Sequence, residues 1–572
     1  MRTICSILAA LSLAVLAACA PPAQRAATDA PGGGPPSASQ PARSLVIAVR
    51  VEPPSLAIRW LGQPGGTLTI AKGLFGARIG LVDDQGRALP QLVEALPALR
   101  SENWRVFPDG RMETTYRLKP NLAWHDGVPL TSEDFVFAWR LYSVPENGLA
   151  STAPFHAIEE VLAPDQRTFV IRWRQPYAAA GLLSASRSEL VPLPRQILEQ
   201  PFAQLTPDGL AGHPYWTREY VGVGPYVLGQ WEPGSFLEAT AFDGYVLGRP
   251  KIDRVKLMFI GDPNTTLANL LAGEVHLASD DSFGLQQMEV LKREWGNAGT
   301  ILLPPGGSWR TTFFQLRPEY ASPPTILDPR VRKALAHALD KDLINDAVYG
   351  GNHILADSMI SPKSEFGAAS DRGVVKYPYD LRQSEQLMNE AGYVKGPDSL
   401  YASASRGRFV GSIVASTGSD FETELTVMAG GWRGVGFSLE ESVISPAQTR
   451  DAQLASTFPF MTTRSTASDL PALVGLISNA IPRPENRWAG PNRGGWSNTE
   501  YDGLVQAFNT TLDADERARQ ISEMTRIYSQ DLPTISLFFP TLPTAHVAAL
   551  TGPVLVPQEA DWLSNVHQWE FR

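Results

Sequence analysis

The stretch 104–142 constrains the fold most, because it combines strand and helix signals at close spacing. Two strand-like runs flank Pro108-Asp109-Gly110, a combination typical of a hairpin turn. A second turn is expected at Asp126-Gly127. Thr131 then predicts a helix N-cap, with Asp134 three residues later as in a capping box. One face of the following helix is apolar, and it carries Phe135, Ala138, Trp139 and Tyr142.

Strand and helix signals alternate along the rest of the chain as well. Residues 44–49 form an apolar run that predicts a buried strand, which ends before Pro53-Pro54. Helices are predicted after the Asp328-Pro329 cap, over 380–391 and over 514–532. Because a chain of 572 residues is too long for one core, we expect an α/β protein of two or three lobes.

The N-terminal segment predicts export and lipid attachment. Residues 1–18 combine Arg2 with a short apolar run, as in a secretory signal peptide. The sequence Leu16-Ala17-Ala18-Cys19 resembles a bacterial lipobox, in which the cysteine is lipidated and becomes the first mature residue. Residues 19–43 contain this cysteine and a Pro-, Ala-, Gly- and Ser-rich tether that is predicted to be disordered. We therefore expect a periplasmic or cell-surface protein anchored to a bacterial membrane through Cys19, the alternative being an ordinary signal peptide that contains a cysteine.

Charge and motifs argue against several classes of function. The net charge of −10 argues against nucleic acid as the main partner, since such proteins usually present a basic face. The eight histidines are scattered, and the sequence contains no HExxH, GxSxG or GxxxxGK[ST] pattern. We interpret His125 and Asp126 as turn residues. We expect no metal, no cofactor and no catalytic residues.

Five blocks of sequence carry a resemblance to a known family. They are residues 109–137, which include Trp124-His125-Asp126-Gly127, and then 222–253, 264–276, 328–341 and 379–393. In this order they resemble the peptide, opine and nickel class of ABC-transporter solute-binding proteins. The resemblance implies a two-lobed periplasmic-binding-protein fold with an extra domain inserted in the first lobe.

The resemblance also implies a domain organisation. The first lobe would comprise 44–71, 222–306 and 537–572, the inserted domain 72–221, and the second lobe 307–536. A solute would lie in the cleft between the lobes, which would close by bending at a hinge. The implied partners are a small-molecule or peptide ligand and an ABC permease in the membrane, and we expect a monomer.

The second lobe is where peptide-binding members of that class carry an aspartate for the ligand's α-amino group, within a Trp-x-x-Asp-Tyr-x-Asp-Pro segment. The corresponding stretch 458–469 has no acid at that position and contains Arg464 instead. A buried ammonium without a countercharge is penalised, so an anionic or neutral polar ligand is favoured over a free peptide N-terminus. Arg464 could pair with a carboxylate or phosphate, or it could be a surface or interlobe arginine.

Further candidates for solute contact follow from where the resemblance places them. Tryptophan could stack on a ring or line an apolar wall, although most of the 14 tryptophans must belong to the core. The complete set of predicted ligand-binding residues is Arg59, Trp60, Trp309, Arg310, Thr311, Phe458, Thr462 and Arg464.

These patterns lead to one functional hypothesis and two alternatives. We expect a non-enzymatic binding protein of an ABC importer, which captures a peptide-like or other small polar solute and delivers it to a permease. An anchored extracytoplasmic hydrolase is the first alternative, because catalytic triads are recognised by geometry and not by sequence. A chaperone or receptor protein that uses the same fold is the second.

Overall fold

The computed structural model describes residues 43–61, 69–150, 152, 154–183, 190–279, 282–486, 488–555 and 562–572. The predicted signal peptide, Cys19 and the tether up to residue 42 lie outside the described residues. Within the described ranges, none of the helices has the length and apolar character needed to cross a membrane.

Helices and strands alternate along the described chain. The strands are β1 (Ser44–Val49), β2 (Gly80–Val82), β3 (Ala88–Pro90), β4 (Trp104–Val106), β5 (Met112–Arg117), β6 (Ile158–Asp165), β7 (Thr168–Trp173), β8 (Tyr226–Glu232), β9 (Phe236–Ala241), β10 (Arg254–Phe259), β11 (Leu277–Ala278), β12 (Gly299–Leu302), β13 (Ser308–Phe314), β14 (Ile354–Leu355), β15 (Val394–Lys395), β16 (Tyr401–Ser403), β17 (Gly407–Arg408), β18 (Val410–Ser416), β19 (Ser438–Ile444), β20 (Met461–Ala467), β21 (Thr534–Phe539), β22 (Thr544–Val547), β23 (Leu550–Thr551) and β24 (Glu570–Phe571). The α-helices are α1 (Thr69–Phe75), α2 (Ser132–Tyr142), α3 (Arg195–Gln204), α4 (Pro207–Ala211), α5 (Pro263–Ala272), α6 (Leu285–Trp295), α7 (Pro329–His337), α8 (Lys341–Tyr349), α9 (Gly367–Gly373), α10 (Leu381–Glu390), α11 (Ser419–Gly434), α12 (Pro446–Arg450), α13 (Asp469–Gly475), α14 (Thr499–Thr510) and α15 (Ala514–Asp531).

Two large mixed sheets organise these elements. The first sheet has seven strands in the order β12-β22-β11-β1-β10-β9-β8. Its centre is β1, the predicted buried strand, which pairs in parallel with both β10 and β11. The second sheet has six strands in the order β14-β21-β13-β20-β18-β19. The predicted border between residues 536 and 537 cuts β21, because this strand stays in the second sheet as far as Phe539. The predicted border between residues 71 and 72 falls inside α1.

A smaller four-stranded sheet, β4-β5-β7-β6, contains the predicted hairpin. The predicted capping box opens α2, where the Asp134 carboxylate accepts a hydrogen bond from the Thr131 backbone N–H at 2.8 Å. On this helix Phe135 stacks on Phe169 of β7, with ring centroids 4.3 Å apart. Phe169 in turn stacks on Tyr116 of β5 at 4.7 Å. This sheet and the first sheet share one continuous hydrophobic cluster.

His125 lies in the turn at Asp126-Gly127, and its side chain connects this turn to the segment Gly222-Val223-Gly224-Pro225. Its Nδ1 accepts a hydrogen bond from the Gly222 N–H at 3.2 Å, and its Nε2 lies 3.0 Å from the Gly224 carbonyl oxygen. A neutral imidazole, accepting at Nδ1 and donating at Nε2, satisfies both contacts. Burial lowers the pKa of His125 to about 4. The histidine is therefore a structural connector, as its place in a turn predicted.

Acidification is expected to destabilise the protein through His125 and His353, because burial lowers the pKa of His353 to about 4 as well. As the pH falls below the ordinary histidine pKa of about 6.5, the unfolded chain takes up protons that the folded chain refuses. The contribution of each histidine to the free energy of unfolding should therefore be complete above pH ~6.5. It should fall by about 2 kcal/mol between pH ~7 and ~4.5. Urea unfolding at several pH values measures this slope.

The variant His125→Gln should flatten that slope, whatever its effect on stability at neutral pH. The exposed His156 supplies a matched control, because His156→Gln makes the same substitution and retains both buried rings. If the unfolding free energy of His125→Gln fell with pH as steeply as that of the wild type, His125 would not be a source of the acid destabilisation.

Candidate solute-binding site

Two chain segments connect the first sheet to the second, and they run side by side. Residues 303–307 lead from β12 to β13, and residues 540–543 lead from β21 back to β22. The Gly306 N–H donates to the Pro540 carbonyl at 2.7 Å, and the Leu542 N–H donates to the Pro304 carbonyl at 3.0 Å. We call residues 303–307 and 540–543 the crossing ribbon.

Strands β13 and β20 begin and end at the crossing ribbon. They pair antiparallel, so Ser308 at the start of β13 lies opposite Ala467 at the end of β20. The next residue, Ser468, donates its N–H to the Gly307 carbonyl at 3.4 Å. Most of the predicted ligand-binding residues lie on or beside this strand pair, namely Trp309, Arg310, Thr311, Phe458, Thr462 and Arg464.

The two remaining predicted residues lie elsewhere. The Trp60 indole N–H donates to the Ala211 carbonyl at 3.3 Å. The Arg59 guanidinium lies 5.1 Å from the centroid of the Phe155 ring. Both side chains thus pack against the predicted inserted domain, and the structure does not bring them together with β13 and β20.

Arg310 is held inside the second sheet's core. Its guanidinium forms an ion pair with Glu424 of α11, and the two side chains are 3% and 0% exposed. The Tyr349 hydroxyl donates to the same carboxylate at 2.7 Å, and the Thr463 hydroxyl donates to it at 3.1 Å. With its charge already matched, Arg310 stabilises the lobe, and this geometry does not favour the predicted solute contact.

Four further predicted residues also belong to the core. The Thr311 hydroxyl donates to the Ile535 carbonyl at 3.0 Å, and the Thr462 hydroxyl donates to the Val414 carbonyl at 3.1 Å. Trp309 and Phe458 are buried in the hydrophobic cluster between the second sheet and helices α13 to α15. The geometry therefore does not favour solute contact for the two threonines, whose hydroxyls are already paired, or for the buried Phe458 ring. The Trp309 indole N–H differs, because it is buried without a hydrogen-bond partner in the described structure.

Arg464 differs from these neighbours because it is only partly buried and weakly bound. Within the described residues its guanidinium makes one hydrogen bond, to the Ala455 carbonyl at 3.5 Å, the limit of such a contact. Burial first, and then the charges of Arg493 and Arg310, lower the pKa of Arg464 to about 9. A guanidinium in such a position can bind an anion.

Arg493 is a candidate that sequence reasoning missed. It lies in the loop before α14, and burial lowers its pKa too. Its Nη1 atom is buried without a hydrogen-bond partner in the described structure. No local pattern around Pro491-Asn492-Arg493-Gly494-Gly495 indicates binding, so only the three-dimensional arrangement reveals it.

A cavity of about 380 Å³ opens beside this loop. Arg317 lines it and donates a hydrogen bond to the Arg493 carbonyl at 3.1 Å. Tyr320 and Trp488 also line it, with their rings edge to face at 6.3 Å. In the described ranges, no group of three or more histidine, cysteine or acidic side chains could hold a metal ion.

A comparison with protein families decides the classification. The sequence profile of "Bacterial extracellular solute-binding proteins, family 5 Middle" matches residues 94–483, more than half of the chain. The chain belongs to this family. The predicted resemblance is confirmed, and the family is one of solute-binding proteins.

Relatives of this family 5 protein share moderate identity with it. A putative ABC transporter peptide-binding protein of Brucella ovis is 26% identical over 301 residues, which is 52% of each chain. The family 5 chain thus spans about half the length of that curated relative. The glutathione-binding protein of Pectobacterium atrosepticum is 25% identical over 503 residues, 86% of this chain and 87% of that relative.

Solved structures share the fold. NikZ of Campylobacter jejuni, in complex with Ni(L-His), superposes with a TM-score of 0.72 at 20% identity, over 93% of this chain and 100% of that one. The oligopeptide-binding protein of Thermus thermophilus superposes with a TM-score of 0.70 at 22% identity, over 92% of this chain and 96% of that one. The family 5 chain thus has the two-lobed periplasmic-binding-protein fold, which confirms the predicted fold class.

Proposed function

We propose that this protein is the solute-binding component of an ABC importer. It holds a peptide-like or other small polar solute between its two lobes and delivers it to a permease in the membrane. The observation that carries the proposal is the crossing ribbon, because two hydrogen-bonded segments are the only described connections between the first and second sheets. Such a connection lets two rigid lobes bend toward each other around a ligand.

The names of the relatives support the same role. The Brucella ovis protein is described as an ABC transporter peptide-binding protein, and the Pectobacterium atrosepticum protein as glutathione-binding. With borders moved out of α1 and β21, the lobes are proposed as 44–75, 222–306 and 540–572 for the first, 76–221 for the inserted domain, and 307–539 for the second. We also propose that the protein acts as a monomer without catalysis, outside the cytoplasm, and that lipid on Cys19 anchors it to the membrane.

Native mass spectrometry of the purified protein tests the binding role. We expect a small solute that is released only on denaturation. Adding it back at about 100 times its dissociation constant should stabilise the protein by about 2.7 kcal/mol. Small-angle scattering should show a smaller radius of gyration with the solute than without it.

Two results would contradict the proposal. Conversion of the released solute or of peptide and glycoside substrates into products would identify a hydrolase. A stable complex with another protein, without binding of any small solute, would identify a chaperone or receptor.

A further inference from the structure

Two arginines of the second lobe donate to the Ala455-Ser456 backbone, and one of them also holds the loop of a third arginine, Arg493. Arg464 donates to the Ala455 carbonyl at 3.5 Å, and Arg317 donates to the Ser456 carbonyl. The same nitrogen of Arg317 donates to the Arg493 carbonyl at 3.1 Å. The loop that carries Arg493 is thereby held beside the segment that Arg464 contacts.

The three guanidinium groups differ in how many of their N–H groups have a hydrogen-bond acceptor. Arg317 also donates to the Pro482 carbonyl at 2.9 Å and to the Gln315 side-chain oxygen at 3.2 Å, so its role is to hold loops together. Arg464 has one marginal hydrogen bond, and the Nη1 of Arg493 is buried without any. In the described part of the chain, neither Arg464 nor Arg493 forms an ion pair with a carboxylate, whereas the nearby Arg310 does.

Unmatched cations of this kind cost stability. Burial and the charges of the neighbouring Arg493 and Arg310 together lower the pKa of Arg464 to about 9. An arginine that only stabilised the fold would be expected to have a countercharge, as Arg310 has in Glu424, or several carbonyl acceptors, as Arg317 has. Two unmatched arginines beside each other fit a site whose countercharge arrives with a ligand.

Their position agrees with this interpretation. Arg464 lies on β20, which ends at the crossing ribbon, and it pairs across the sheet with Thr311 of β13. Arg317 donates to the Arg493 carbonyl and also lines the cavity of about 380 Å³, so this cavity lies next to the loop of Arg493.

We propose that Arg464 and Arg493 form a subsite that binds an oxyanion of the solute, either a carboxylate or a phosphate. This inference rests on the proposed solute-binding function and adds the chemical class of the solute. Two adjacent guanidinium groups can each donate parallel N–H bonds to such an anion.

Simple anions test the subsite without knowledge of the natural solute. Acetate serves as the carboxylate probe and inorganic phosphate as the phosphate probe, with chloride at equal ionic strength as the reference. Phosphate and similar salts also stabilise proteins without binding, so the wild type is compared with Arg464→Gln in each salt. We expect acetate or phosphate to raise the midpoint of thermal unfolding, relative to chloride, more in the wild type than in Arg464→Gln, and the anion that does so is the one bound. Equal effects of the salts on the two proteins would overturn the inference.

Variants identify the residues. Arg464→Gln and Arg493→Gln should each weaken anion binding at least tenfold by calorimetry, and Arg464→Lys should retain part of it because the charge remains while the planar fork is lost. The exposed Arg519, paired with Glu516 on α15, gives the control Arg519→Gln, which should bind as the wild type does.

Thermal unfolding without added anion separates binding from a structural role. Because Arg464→Gln removes a repelled charge, its midpoint should equal or exceed that of the wild type. A clear loss of stability would mean that Arg464 holds the loop, and it would contradict the inference.

Failure of the subsite is distinguishable from failure of the importer role. A co-purified solute that lacks an oxyanion, or that binds both glutamine variants with wild-type affinity, would overturn the subsite and leave the binding function in place. Anion binding through Arg464 and Arg493 in a protein that retains no solute would support the subsite and count against the importer role.

Discussion

Replacing Glu424 with glutamine is expected to lower the free energy of unfolding by about 3–5 kcal/mol. The carboxylate is fully buried and is the countercharge of Arg310, whose side chain is 3% exposed. It also accepts hydrogen bonds from the Tyr349 and Thr463 hydroxyls. Glutamine keeps the shape but leaves Arg310 as an uncompensated buried cation. Urea denaturation at neutral pH measures the loss.

Two further variants show whether charge is the cause. The double variant Arg310→Met with Glu424→Leu removes both charges and should recover most of the lost stability. Glu441→Gln breaks a more exposed pair with Arg433 and should change stability by less than about 1 kcal/mol. A cost below 1 kcal/mol for Glu424→Gln would contradict the role assigned to the buried pair.

Replacing Gly224 with alanine is expected to destabilise the protein by about 3 kcal/mol. A Cβ atom at this position would lie 2.3 Å from the carbonyl carbon of Phe75 and 2.5 Å from the nitrogen of Gly76. Both atoms belong to the backbone and cannot turn aside. The Gly224 N–H also donates to the Phe75 carbonyl at 3.0 Å, so a backbone shift would weaken that bond. The midpoint of thermal unfolding reports the effect.

Gly430 on α11 provides a control, because alanine at this position should raise stability where alanine at Gly224 lowers it. A Cβ atom there would meet nothing within 4 Å. Gly430→Ala should therefore stabilise the protein by about 0.5–1 kcal/mol through the better helix propensity of alanine. Equal effects of the two substitutions would show that steric contact at Gly224 is not the deciding factor.

The local signals in the sequence predicted the elements well because their causes are local. The hairpin over β4 and β5, the Asp328 cap of α7 and the Asp380 cap of α10 all depend on residues within a few positions of one another. The two-lobed fold was reached through the family resemblance and is confirmed. The border at residue 536 cut β21, because no local signal tells which of two sheets a buried strand joins.

The candidate site was less predictable, because it depends on which partners the fold supplies. Arg310 and Arg464 lie on neighbouring strands and look alike in sequence, yet Glu424 neutralises only Arg310. Glu424 lies more than 100 positions from Arg310 in the chain, and no spacing rule connects them. Arg493 was missed for the same reason, since its significance lies in Arg464 and Arg317 and not in its own loop.

The crossing ribbon has a consequence for the speed of capture. Pro304 and Pro305 in one segment and Pro540 and Pro543 in the other each fix a backbone φ angle near −65°. Hydrogen bonds between the segments couple the angles that remain. Bending is therefore concentrated at Gly306 and Gly307, which have the freest backbone, and the lobes have few independent hinge angles to search after a solute arrives. Encounter by diffusion, and not a slow search for the closed form, should then set the association rate.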